Sequence, residues 1–246
     1  MKLVGKMATY PDRIDIIEHS IKSIISQLDI LVVCFNQFEK IPNWVNKHSN
    51  LKAIIPERDL KDTGKFIDTD IQCDYIFYLD DDIIYPENYV EHTMKEFEKI
   101  DNENVALGYH GSWYESPRLE MSLLGIKKWL GFKLKISNPM WYRNCAHFLQ
   151  VWPKSNKVDQ LGTGVMAIPA KSAPPFEFID GSQKFVDVRF ARWCFLNKIN
   201  MLCLKHKECW LQALTDDGDN TIFSTFTAQT PPYVQKEIYS YAAKSK

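Results

Sequence analysis

The chain has 246 residues, enough for one α/β domain with a sizeable core, and its formal net charge of -1 excludes a global attraction to nucleic acid. Hydrophobic residues make up 45% and charged residues 25%, so any anionic partner must be held locally, by a few cations in one place. The start, Met1-Lys2-Leu3-Val4-Gly5-Lys6, enters an apolar strand pattern without the long apolar stretch of a secretory signal or membrane span, which predicts a cytoplasmic protein. Cys34, Cys73, Cys145, Cys194, Cys203 and Cys209 form no C-x-x-C pair and lie largely in apolar surroundings, a pattern of free thiols rather than disulfides or a zinc site.

Leu3 to Thr9 reads as a first strand, and Tyr10-Pro11-Asp12-Arg13 as the loop that ends it, because proline fixes φ and Asp12 can cap the next helix. Ile14, Ile17, Ile21, Ile24 and Ile25 then recur at helical spacing. Asp29 to Phe35, Leu51 to Ile55 and Tyr75 to Leu79 are three further apolar strands, and this alternation predicts a mostly parallel sheet covered on both faces. Pro86 to Ile100 reads as a helix, followed by the polar break Asp101-Asn102-Glu103-Asn104 and a strand from Val105 to Tyr109. From Gly111 to Trp152 the pattern loosens into aromatics and scattered cations, as expected of an insertion or flap. Order returns with Gly162 to Ile168, a helix over Asp187 to Leu196, a late strand over Met201 to Leu204, and a short helix with a frayed tail from Pro231 to Lys246.

The strongest chemical signal is Leu79-Asp80-Asp81-Asp82, where an apolar strand runs into three mutually repelling carboxylates. Alternation along an extended segment predicts that Asp80 and Asp82 face one side and Asp81 the other. Two hard oxygen ligands at a strand end suit Mn²⁺ or Mg²⁺, the remaining coordination falling to water and substrate phosphates. A solvated acidic turn is the plainer account, but the carboxyl end of a sheet strand is where open α/β folds bind ligands.

The order Thr9-Tyr10-Pro11-Asp12-Arg13, Asp62-Thr63-Gly64-Lys65-Phe66, Asp80-Asp81-Asp82 and Tyr109-His110-Gly111 resembles the GT-A glycosyltransferases, especially family-2-like inverting enzymes of bacterial surface and capsular polysaccharides with a D-x-D motif. The resemblance covers the first 110 residues well and extends more loosely through Gly162-Thr163-Gly164 and Asp187. It implies a single GT-A domain over residues 1–246, with residues 1–110 binding a nucleotide sugar, such as a UDP-sugar. Residues 111–246 would then receive a glycan or lipid-linked acceptor beneath a flap at about 112–152. It also implies that Thr9, Tyr10, Asp12, Arg13, Lys65, Asp80 and Asp81 hold the donor, that Asp80, Asp82 and a late His206 hold the metal, and that His110, Gly162, Thr163 and Gly164 face the acceptor. Asp187 stands where that family carries its catalytic base, with Asp180 as the substitute; a cap, or a partner for Arg189 or Arg192, is the plainer role. For Asp12 the plainer role is a helix cap, for Lys65 a solvated loop lysine, and for His206 a surface histidine beside two lysines.

Between Arg118 and Arg143, lysines are mixed with leucines and aromatics, which suits peripheral contact with the inner membrane face or a lipid-linked acceptor as well as plain packing. Three other readings are weaker. Gly162, Gly164 and Ala167 satisfy G-x-G-x-x-A, but Pro169 interrupts the helix a dinucleotide fold requires. Asp59 stands where a Walker A loop requires its first glycine. A haloacid-dehalogenase-like phosphohydrolase would place its D-x-D after its first strand, and a non-catalytic GT-A-like sugar-binding domain would have no use for a base.

Overall fold

The computed structural model describes residues 1–100, 104–215 and 230–242; Asp101 to Glu103 of the polar break and the last four residues of the tail lie outside them. The first half alternates as the sequence predicts. Strands β1 (Leu3–Thr9), β2 (Ile30–Phe35), β3 (Leu51–Ile54) and β4 (Tyr75–Leu79) are joined by α1 (Ile14–Ile24) and by short 3₁₀ segments, among them Lys61–Phe66. A two-residue strand β5 (Ile83–Ile84) and α2 (Tyr89–Lys99) come next. The second half contains β6 (Val105–Gly108), β7 (Gly111–Tyr114), α3 (Leu123–Lys133), β8 (Arg143–Ala146), β9 (Asn156–Lys157), β10 (Gln160–Leu161) and β11 (Val165–Pro169). It closes with α4 (Phe176–Ile179), α5 (Val186–Leu196), β12 (Asn200–Cys203), β13 (Gln212–Ala213) and α6 (Pro232–Tyr241).

Eight strands form one sheet in the order β3-β2-β1-β4-β11-β6-β12-β9. Neighbours among β1 to β4 are parallel, as are β6 and β12, whereas β11 runs antiparallel to both β4 and β6. Apolar runs build this sheet because both of its faces are covered. Along β4 the side chains alternate between two cores: Phe77 and Leu79 join Ile17, Ile21 and Tyr89 on one face, while Ile76 and Tyr78 join Phe66 and Phe190 on the other.

Two local expectations are corrected. The carboxylate run is not extended: β4 ends at Leu79 and the chain turns at Asp81 and Asp82, so the predicted alternation does not hold there. Residues 111–152 hold regular structure, since β7 pairs antiparallel with β8 and β10 in a second sheet of three strands.

Candidate active site

The sheet positions a cavity at its topological switch point. From β1 the chain builds outward to β2 and β3 on one side and then returns to β4 on the other, which opens a crevice at the carboxyl ends of β1 and β4. A cavity of about 390 Å³ lies there, lined by Thr9, Tyr10 and Arg13 after β1, by Asn36 after β2, and by Lys65 and Asp80 to Asp82. The turn after β4 thus aims all three carboxylates at one space.

Each carboxylate has a different environment. Asp80 pairs with the Nζ of Lys65, a lysine only 4% exposed, and its Oδ2 fills the space where Gly164 has no side chain. A Cβ built on Gly164 would lie 1.7 Å from that oxygen. Asp82 Oδ2 accepts from Arg13 Nη1 at 2.9 Å. Asp81 is buried, and its Oδ2 has no hydrogen-bond partner. Burial, reinforced by Asp82 and Asp80 and opposed by the nearby Thr9 and by the charge of Arg13, pushes its carboxyl up to about 6, although neither Asp81 Oδ2 nor Thr9 Oγ1 completes a hydrogen bond. Burial works against the charge on Lys65, but Asp80, Asp187 and Asp62 outweigh it and hold the ammonium above its ordinary range. Lys65 enters because Gly64 allows its segment to press on β2, where an added Cβ would stand 2.8 Å from Cys34 Sγ.

Antiparallel β11 carries the second part of the site. Val165 pairs with Leu79, so the preceding Gly162-Thr163-Gly164 turn lies beside Asp80, whose N–H donates to the Gly164 carbonyl at 3.1 Å. Thr163 connects two charges: its carbonyl accepts from Lys65 Nζ at 3.3 Å, while its N–H and hydroxyl donate to Asp187 Oδ1 at 2.9 and 2.7 Å. Asp187 lies in the first turn of α5, and burial raises its carboxyl against those two bonds and the pull of Lys65. A second cavity of about 610 Å³ is lined by Asp80, Asp187, Gly162, Thr163, Gly164 and His110. Asp80 therefore faces both spaces. His110, pushed down to about 3 by burial with Arg143, His147 and His206, is a neutral ring at physiological pH, its Nε2 3.2 Å from Cys145 Sγ.

The fold is the expected GT-A type. It is similar to that of S. aureus TarS residues 1–349, with a TM-score of 0.50 and 12% identity over 85% of this chain and 59% of that one. A mycobacterial protein shares 14% identity over 71% of this chain and 57% of its own, at a TM-score of 0.37 that carries no weight. The chain spans about three fifths of the TarS structure's length, and at this identity the likeness is one of fold. No family model and no curated protein matches the sequence.

Of the residues singled out from the sequence, Thr9, Tyr10, Arg13, Lys65, Asp80, Asp81 and Asp82 meet at the first cavity, and Asp80, His110, Gly162, Thr163, Gly164 and Asp187 at the second. Asp12 is exposed, lines neither cavity and caps no helix, since the N-terminus of α1 carries no side-chain cap. His206 is not brought to the aspartates: its Nδ1 lies 2.8 Å from the Leu204 carbonyl and its ring lines a separate cavity with His92 and Trp210. It is buried rather than superficial, contrary to its plainer expectation. Asp180 pairs with Arg58, away from both cavities, and Arg189 pairs with Glu237 rather than Asp187.

Sequence reasoning missed Asn36 and Tyr85, and gave Asp62, quoted within the Asp62-Thr63-Gly64-Lys65-Phe66 segment, no role of its own. Asn36 holds the crevice open: its amide donates to the carbonyls of Thr9 and Lys61 while its Oδ1 accepts from the N–H of Leu60. A polar residue directly after an apolar parallel strand is the signal that could have found it. Asp62 lines the first cavity, accepts from the Lys184 N–H, and is raised by burial to about 6. Tyr85 donates to the Gly164 carbonyl at 2.7 Å, and no sequence signal marks it.

Among the described residues no group of three or more His, Cys, Asp and Glu side chains is placed to hold a metal ion. Asp80 and Asp82, the pair expected to hold one, each carry hard carboxylate oxygens but are engaged by Lys65 and Arg13. The two cavities together are lined by six carboxylates, Asp59, Asp62, Asp80, Asp81, Asp82 and Asp187, against five cations, Arg13, Lys61, Lys65, Lys184 and Arg143, and one buried oxygen of Asp81 has no hydrogen-bond partner.

Proposed function

We propose that this chain is a glycosyltransferase that moves a sugar from a nucleotide diphosphate to a hydroxyl of a glycan or lipid-linked acceptor, with inversion. One observation carries this reading. Asp80, in the crevice at the switch point, is also a wall of the cavity that holds Asp187, so donor and acceptor sites adjoin at a single carboxylate.

In this reading Tyr10 and Arg13 bind the nucleoside end of the donor, with UDP the leading candidate, and Lys65 faces the diphosphate side. Asp80 and Asp82 would hold Mn²⁺ or Mg²⁺, which when bound neutralises charge on the departing diphosphate. The acceptor oxygen forms a bond to the anomeric carbon from the face opposite the diphosphate. The bond from that carbon to the phosphate oxygen breaks, and its electron pair leaves with the nucleotide. Asp187 takes the hydroxyl proton. Its raised carboxyl makes it a stronger base than an exposed aspartate, and Thr163 donates twice to one of its oxygens.

Asp187→Asn keeps the shape and removes the proton acceptor. Calorimetric titration with nucleotide sugar should then give parental affinity, while transfer falls by about two to four orders of magnitude. Turnover near the parental rate would reduce Asp187 to a structural partner of Thr163. Loss of donor affinity along with turnover would assign it to the donor pocket instead.

A further inference from the structure

The surface built by α3 and its flanks has no role in the reaction above, yet it is the most apolar exposed part of the described chain. Ser122 caps α3 by accepting from the Gly125 N–H at 3.0 Å. The inner side of the helix is packed: Phe132 is 6% exposed, with the rings of Tyr142 and Tyr239 at 5.0 and 5.6 Å. The outer side and both flanks are uncovered. Met121 is 91% exposed, Leu123 92%, Leu124 62%, Leu134 62%, Ile136 75% and Trp141 70%.

Such a face calls for an occupant, and its charges indicate which. Between residues 118 and 143 the sequence carries six cations and only one anion, Glu120, within a chain whose net charge is -1. Lys127, Lys128 and Lys133 are exposed among the apolar side chains, whereas Lys135 Nζ donates to the Tyr239 carbonyl at 3.4 Å. Lysine stems can lie along an apolar layer while their ammonium groups reach outward to phosphates. No described helix is long and apolar enough to cross a membrane, and α3, at 11 residues, can only lie along one.

We infer that this face docks on an anionic phospholipid surface, with Leu123, Leu124 and Leu134 entering the headgroup boundary and Lys127, Lys128 and Lys133 meeting lipid phosphates. The two contributions support each other, since each alone gives weak and reversible attachment. From this face the chain runs directly into β8, whose Arg143 and Cys145 line the second cavity. Docking would therefore leave that cavity close to the membrane plane. The inference does not depend on the reaction proposed above.

Sedimentation with phosphatidylglycerol vesicles and with phosphatidylcholine vesicles tests it on the intact chain. Binding is expected to the anionic vesicles at low salt, and to fall steeply toward about 0.5 M salt as screening shortens to a few ångströms. Replacing Lys127, Lys128 and Lys133 by Gln should weaken it by about fivefold per lysine. Leu123→Ser with Leu124→Ser should weaken it at least about tenfold. Both variants alter exposed side chains, so their melting curves should match the parental one; should the leucine pair misfold, the lysine series decides alone. Equal partition into both vesicle types, or none into either, would overturn the inference. So would a parental dimer that becomes monomeric in the leucine variant without any vesicle binding, because the face would then belong to a second copy.

Discussion

At the scale of single residues, three carboxylates of the site, Asp62, Asp81 and Asp187, lie in surroundings that disfavour their charge. Asp62 illustrates the consequence for stability. Burial, opposed by the Lys184 N–H and by Lys65, raises its carboxyl from 3.8 to about 6. Between those values the native chain binds more protons than the unfolded one, so this group's contribution falls as pH rises and is fully unfavourable above about 6. A shift of this size corresponds to at most about 3 kcal/mol. In the presence of chelator, Asp62→Asn should raise the melting temperature at pH 7.5 and leave it nearly unchanged at pH 4, since the amide oxygen still accepts the Lys184 N–H. A variant destabilised equally at both pH values would mean that Asp62 is held by its bonds and not penalised for its charge.

At the scale of elements, the sequence was legible where one pattern dominated. Strand β4 matches its expected limits because its apolar run is bounded by charge, and α1 follows its periodic face, whereas α2 spans Tyr89–Lys99 and so begins after the Pro86 expected to open it. The direction of β11 was not legible, because Val165 to Pro169 is buried on both faces whichever way it runs. Nor were β7 and β8, whose pairing joins Gly111 with Ala146 at one end and Tyr114 with Arg143 at the other, closing across α3. Asp80, Lys65 and Asp187 could be picked out as residue types in order. Gly162, Thr163 and Gly164 were expected on the acceptor side, but that Thr163 would bond both Lys65 and Asp187 and that Gly164 would pack on Asp80 was not legible, because it results from the antiparallel register of β11 on β4. Gly164→Ala tests that register: a Cβ 1.7 Å from Asp80 Oδ2 must displace the carboxylate from Lys65. Metal-dependent nucleotide affinity should drop at least about tenfold, with a stability cost of about 1–3 kcal/mol read from denaturant melts. Parental affinity and stability in this variant would contradict the packing of Gly164 against Asp80.

At the scale of the whole molecule, the nearly neutral chain mixes carboxylates and cations at the switch point of the sheet, while residues 118–143 around α3 carry six cations against one anion. The nucleotide site is the foundation of the proposed reaction, and calorimetric titration with UDP, GDP and dTDP in Mn²⁺, using the parental chain and Asp82→Ala, puts it to the test. The parental chain should bind at least one of the three only when Mn²⁺ is present, and Asp82→Ala, folded to the same melting curve, should lose that metal-dependent binding. Undiminished Mn²⁺-dependent binding by Asp82→Ala, or no binding of any of the three nucleotides by the parental chain, would contradict the proposed donor site.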